Sequence, residues 1–149
     1  MKIDKRGLDL IKEFEGLSLK PYKCQGNIST IGYGNTFYEN GTKVKMTDPP
    51  ITRQRADALL ILIADRFAEQ VNKIVKKPLT QNQFNALVSF AFNVGVAGLH
   101  RSTLLRLVNN NPNDANIAKE FLKWNRAAGK VVNGLTNRRI KESALYFSK

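Results

Sequence analysis

"KEFEGLSLKPYKCQGNISTIGYGNT", Lys12 to Thr36, is where the chain changes character. It opens in a helical pattern and passes through Gly16 into a segment rich in Gly, Thr and aromatic residues. Upstream, Leu8, Ile11 and Phe14 recur at helical spacing with Leu10 alongside, and Gly16 is a natural stop, which predicts a helix over 4–15. Downstream, Tyr22, Ile28, Thr30, Ile31, Tyr33, Thr36 and Phe37 favour strands, and Gly26, Gly32, Gly34 and Gly41 punctuate them. That pattern predicts an antiparallel unit of two or three short strands between Lys20 and about Val44.

Beyond this stretch the chain reads as helix. Pro49 and Pro50 end the β unit, and Thr52 can cap a helix after them. From 53 to 75, Ala56, Leu59, Leu60, Ile63, Phe67, Val71, Ile74 and Val75 mark one face of a long helix that Pro78 breaks. Thr80 with Gln83 forms a capping-box signature opening "FNALVSFAFNV", which is apolar nearly all round and reads as the buried central helix. Further helices fit 102–110, 114–124 and 137–147, the last capped by Thr136. The expected fold class is α+β and mostly helical. One domain, 1–149, is expected, with a small β-containing lobe over about 16–50, a helical lobe over about 51–149, and the first helix packed between them. Such a division leaves a cleft.

Composition narrows the chemistry. Cys24 is the only cysteine and His100 the only histidine, so neither an internal disulfide nor a zinc site can be assembled, and no cofactor is expected. Twenty-four Lys and Arg against twelve Asp and Glu give a net charge of +12. That field favours polyanions such as an anionic envelope surface, unless the basic residues only cover solvated helix faces. No recognised nucleic-acid module is present, so no specific nucleic acid is expected. The opening "MKIDKRGLDLIKEFEG" has no apolar core of the signal-peptide kind, and the longest apolar run, "ALLILIA" from Ala58, is too short to span a bilayer. The expectation is a monomer made in the cytoplasm.

Glu15 falls in the last turn of the first helix. The negative end of the helix dipole and partial burial beside Phe14 or Leu17 both favour a protonated carboxyl there. A proton donor of this kind is what cleavage of a glycosidic bond needs, because the leaving oxygen must be protonated as the bond breaks. Taken alone, a Glu in a last turn is more often plain surface charge. Glu13 lies two residues away and does not share its face, so it is not a second carboxylate. Where such a partner could stand is Cys24.

The segment E-G-L-x-L-x-x-Y followed by T-I-G-Y-G-N-T resembles the active-site region of phage-type lysozymes, glycoside hydrolase family 24. In that family a glutamate is followed by eight residues, an Asp or sometimes a Cys, five residues and a Thr. Glu15, Cys24 and Thr30 fit this spacing without a gap. "ALVSFAFNVG" at 86–95, "STLLRLVN" at 102–109 and "FLKWNRAAGKVVNGLTNRRIKE" at 121–142 resemble the family's central helix and C-terminal half, so the likeness covers nearly the whole chain.

The resemblance implies a lysozyme-like fold and an N-acetylmuramidase, an endolysin that hydrolyses the β-1,4 bond between N-acetylmuramic acid and N-acetylglucosamine in peptidoglycan, with inversion. It implies Glu15 as general acid and Thr30 as a holder of the attacking water. Cys24 would be a weak base or a polarisable neighbour of that water, or else an inert thiol. Arg138 is expected to pair with Glu15, favouring its ionised form against dipole and burial; the alternative is two solvated arginines at 138 and 139. Asn93 is expected to hydrogen-bond a sugar substituent, or else to be buried and satisfied by backbone. Trp124 reads as core rather than a sugar platform. His100 reads as surface. With no export signal, a holin-type membrane lesion is the implied partner giving access to the wall.

Two rivals stay open. A lytic transglycosylase needs only one glutamate, because the sugar's own hydroxyl attacks. A cationic envelope-binding or membrane-disrupting protein would use the charge together with Ile140, Ala144 and Phe147 as an apolar stripe on the last helix.

Overall fold

The computed structural model describes every residue, Met1–Lys149. In chain order the elements are α1 (Lys5–Glu15), β1 (Ser18–Lys23), β2 (Ser29–Gly32), α2 (Arg53–Ile74), α3 (Gln81–Val94), α4 (Val96–His100), α5 (Thr103–Asn110), α6 (Ile117–Leu122), β3 (Arg126–Ala127), β4 (Lys130–Val131) and α7 (Asn133–Phe147). No helix is long and apolar enough to cross a membrane.

Local chemistry sets most of these boundaries. The Asp4 carboxylate accepts from the N–H groups of Arg6 and Gly7 to start α1, which Gly16 ends at a φ of 70°. Thr52 caps α2, and the reciprocal Thr80–Gln83 capping box opens α3. α3 is the axle of the helical body, with ten consecutive residues, Asn82 to Ala91, buried. α1, α2, α4 and α7 all pack against it. Phe90 stands edge-on to Phe121 at 5.8 Å and to Trp124 at 5.5 Å. Each fully buried Phe or Leu in this core contributes about 1.5–3 kcal/mol of hydrophobic stabilisation.

β1 and β2 form an antiparallel hairpin, with Tyr22 opposite Thr30 and Lys23 opposite Ser29. The lobe around it is tied to the helical body through α2: Ile31 is wholly buried, and Asn35 donates to the carbonyl of Leu59 on that helix.

The chain after residue 95 departs from the periodicity. α4 lies in a joint that carried no helical signal, and residues 114–116 form a turn, so the expected helix over 114–124 shrinks to α6. A second hairpin, β3–β4, turns through Ala128 and Gly129, both at positive φ. Only Gly129 advertised it. α7 begins at Asn133 rather than 137, and Thr136 is inside it rather than at its cap. The Thr136 hydroxyl donates to the Val132 carbonyl and accepts from Asn125.

α7 also inverts the usual amphipathic order. Its buried side carries Arg138, Arg139, Glu142 and Tyr146, whereas Ile140, Ala144 and Phe147 are exposed. The reason lies in the site.

Candidate active site

Because side chains alternate along a strand, Tyr22 and Cys24 share one face of the first hairpin with their cross-strand partners Thr30 and Ile28. Glu15, at the end of α1, faces the same place. Burial, followed by the nearby Cys24 and Glu15, raises the pKa of Tyr22, which places all three side chains in one neighbourhood.

One oxygen of Glu15 is held. Arg138 Nη1 donates to its Oε1 at 2.8 Å, and the guanidinium also lies over the Phe14 ring at 5.7 Å. The other oxygen, Oε2, has no protein donor and lies over Gly34, where a Cβ would stand 3.3 Å from it. Gly34 has a φ of 90°, a region L side chains rarely adopt, so the backbone favours glycine there, and a Cβ would push Oε2 aside by a few tenths of an ångström. If Glu15 is the acid that the resemblance implies, Gly34→Ala is expected to stay folded but lower kcat about tenfold to a hundredfold, with KM nearly unchanged, by displacing the free oxygen. Steady-state turnover beside a thermal melt checks this; a variant with wild-type kcat would mean that Oε2 needs no such clearance.

On the hairpin, Cys24 is partly exposed at the start of the turn. The backbone N–H of Ile28, then the Thr30 hydroxyl and the N–H of Gly26, hold its thiol below the ordinary cysteine range. The thiolate is favoured by backbone donors, not by Lys23 or by an apolar setting. Thr30 is buried, and its single hydroxyl proton has two acceptors within reach: the Ile28 carbonyl, at 2.8 Å, and the Cys24 sulfur. A hydroxyl so held offers its lone pairs to a water.

Behind Glu15 lies a buried ionic network. Arg138 donates from Nε to Glu142 at 3.2 Å and from Nη2 to the Ser89 carbonyl at 3.1 Å, and the Ser89 hydroxyl donates to Glu142 at 2.6 Å. Arg139 approaches the other Glu142 oxygen at 3.0 Å and stacks on Phe90 at 4.9 Å. Desolvation lowers the pKa of Arg139 to about 10. The two arginines are therefore buried and paired rather than solvated. They need α3, α7 and α1 together, and this is why α7 turns its charged side inward.

Asn93 is not buried and satisfied by backbone. It is exposed, at the end of α3, and its Oδ1 accepts from Arg139 Nη2, which leaves the amide N–H groups free for a ligand. It does not touch Glu15; the link runs through Arg139, Glu142 and Arg138. Trp124 is half-buried against Phe90 and, with Asn93, lines a hollow of about 480 Å³. Glu13 points away from the hairpin to Lys141 on α7. Sequence reasoning missed Ser89, Glu142 and the role of Arg139. The available signal was Glu142, three and four residues after the paired arginines.

A carboxylate at a helix end, beside a short β-hairpin and braced by a helical body, is the layout of the lysozyme-like α+β class. Residues 12–142 match the model of the family described as phage lysozyme. The endolysin of Bacillus phage PZA is 43% identical over 150 residues, covering 99% of this chain and 56% of that protein, so the chain spans little more than half of that relative's length. Among solved structures, the endolysin from Escherichia coli O157:H7 phage FAHEc1 superposes with a TM-score of 0.91 at 39% identity, over 99% of this chain and 94% of that one. The muramidase domain of SpmX from Asticaccaulis excentricus gives 0.83 at 37% identity, over 99% of both. The chain belongs to the phage lysozyme family.

Proposed function

We propose that the protein is a muramidase of the endolysin type, hydrolysing the β-1,4 bond between N-acetylmuramic acid and N-acetylglucosamine in peptidoglycan. The observation that carries this reading is the division of labour within Glu15: one oxygen is fixed by Arg138, and the other is free over Gly34, with Tyr22 lying near both Glu15 and Cys24. Glu15 delivers a proton to the glycosidic oxygen as the bond to the muramic acid C1 breaks. A water held by Thr30 adds to C1, and its proton leaves to the Cys24 thiolate or to solvent. The names of the relatives, endolysin and muramidase, support the substrate. A holin-type membrane lesion that admits the protein to the wall, and action as a monomer, belong to the same proposal.

The test is digestion of purified peptidoglycan with identification of the fragment ends by mass spectrometry. Reducing, hydrated N-acetylmuramic acid is expected. 1,6-Anhydro-muramic acid would replace this mechanism with that of a transglycosylase.

Cys24 gives a second check. Cys24→Ser removes the ionisable group but keeps the size, and is expected to slow turnover about tenfold to a hundredfold, whereas Cys24→Asp restores it. Wild-type rates in Cys24→Ser would show the thiol to be inert. The alternative of a cationic membrane-disrupting protein draws on the exposed Ile140 and Phe147 of α7. Vesicle leakage that persists in Glu15→Gln would favour it.

A further inference from the structure

The cations of this protein are unevenly matched. From Gln70 to Asn113 there is no Asp or Glu, yet the stretch carries Lys73, Lys76, Lys77, Arg101 and Arg106. None of these five takes part in an ion pair; the paired cations belong to α1, α2's first turn, α6 and α7 or their flanks. The fold then gathers them. Lys73 at the end of α2 and Lys76 just beyond it, His100 at the end of α4, Ser102 capping α5, and Arg106 and Asn109 on α5 line one open hollow of about 290 Å³. A second hollow, of about 360 Å³, shares Lys73 and adds Arg66, with Glu69 as the one carboxylate on its rim. The floor is fixed, because the Asn109 side chain accepts from the N–H of Lys76 at 2.7 Å and donates to the carbonyl of Ile74 at 3.0 Å.

This groove stands apart from the cleft. α2 reaches the β lobe at its N-terminal end, and its 22 residues span about 33 Å, with Lys73 in its last turn. We infer that the basic face formed by the end of α2, α4 and α5 binds a linear, phosphate-bearing polymer of the cell envelope and so holds the enzyme on the wall. Lysine and arginine without internal counter-ions suit the repeated charges of such a chain, and two hollows in a row suit its length. No Phe, Tyr or Trp lines either hollow, so the groove lacks the large aromatic platforms on which nucleobases stack. The inference rests on the muramidase reading for its setting, but is tested apart from it.

The experiment compares the triple variant Lys73→Gln, Lys76→Gln, Arg106→Gln with a charge-matched control, Lys2→Gln, Lys119→Gln, Lys149→Gln. Both are sedimented with walls that retain their phosphate polymer, with walls stripped of it by hydrofluoric acid, and with duplex DNA immobilised on beads, over a salt series. Hydrolysis of the stripped walls is measured in parallel. The groove variant is expected to lose about tenfold or more of its retention on polymer-bearing walls at low salt, and to show a shallower salt dependence. The control is expected to lose little, and both should match wild type on stripped walls in retention and hydrolysis. Equal losses in both variants, or none in the groove variant, would overturn the inference. A loss confined to retention on duplex DNA would assign the groove to nucleic acid instead. Failure of wild type to hydrolyse stripped walls would strike the muramidase reading, not this one.

Discussion

Glu15→Gln is expected to fold like the parent and to release reducing ends from peptidoglycan about 10²–10⁴-fold more slowly. The geometry separates the two effects. The bond from Arg138 Nη1 reaches Oε1, and a carboxamide oxygen in the same position still accepts it. The group over Gly34 becomes an amide NH2, which cannot supply the proton that the leaving oxygen requires. The melting temperature should therefore move by only a few degrees while turnover collapses. Turnover within about threefold of wild type would remove Glu15 from the acid's role. Glu15→Ala, which leaves Arg138 Nη1 without its acceptor, should add a loss of stability to the loss of rate.

The largest expected loss of stability belongs to Arg138→Met. Arg138 is 3% exposed and binds Glu15, Glu142 and Ser89 together. A methionine fills much of the volume but leaves Glu142, which is fully buried, with Arg139 and Ser89 alone. Breaking one side of such a network costs about 3–5 kcal/mol. The cost should depend on pH in a definite direction. Burial raises the pKa of Glu142 in the folded chain, against the opposing pull of Arg139, then Arg138 and Ser89. Loss of Arg138 raises it further. A carboxyl whose folded pKa exceeds its unfolded value makes stability fall as pH rises between the two, and removes that cost below the unfolded value. The variant should therefore be worst at neutral pH and recover relative to wild type as pH drops toward the ordinary carboxylate range. Urea midpoints at pH 7 and near pH 4 read this directly. A deficit that grows on acidification would mean that Arg138 is not a counter-charge for Glu142. Arg138→Lys should not restore the loss, since one ammonium cannot serve three partners in a planar fork.

The fold was legible where a local rule acts alone. Gly16 stops α1, Thr52 starts α2, and the Thr80–Gln83 box starts α3, each by chemistry contained within a few residues. The β lobe followed from glycine and β-branched residues in alternation. Legibility fell away after residue 95, where tertiary packing outweighs propensity. α4 is only five residues long, and the β3–β4 turn puts Ala128 at a φ of 52°, which no composition rule would place there. α7 starts three residues before its apparent cap because Thr136 bonds within the helix rather than opening it.

The site divides in the same way. The spacing of Glu15, Cys24 and Thr30 is a local pattern carried by one helix end and one hairpin. The brace behind Glu15 is not local: Ser89, Arg138, Arg139 and Glu142 acquire meaning only when α3 and α7 meet. A periodicity reading of α7 even points the wrong way, because it seeks an apolar buried face and finds Ile140 and Phe147, which are outside.

The bond from Arg138 to Glu15 joins residues 123 apart in the chain. During synthesis, Glu15 and the first hairpin leave the ribosome long before the guanidinium that orients the carboxylate exists. A partly made polypeptide can thus carry Glu15, Cys24 and Thr30 yet lack the brace that holds one carboxylate oxygen and leaves the other free. The timing of translation itself keeps the proposed wall-cutting site unfinished until all of the sequence between those two residues has been made.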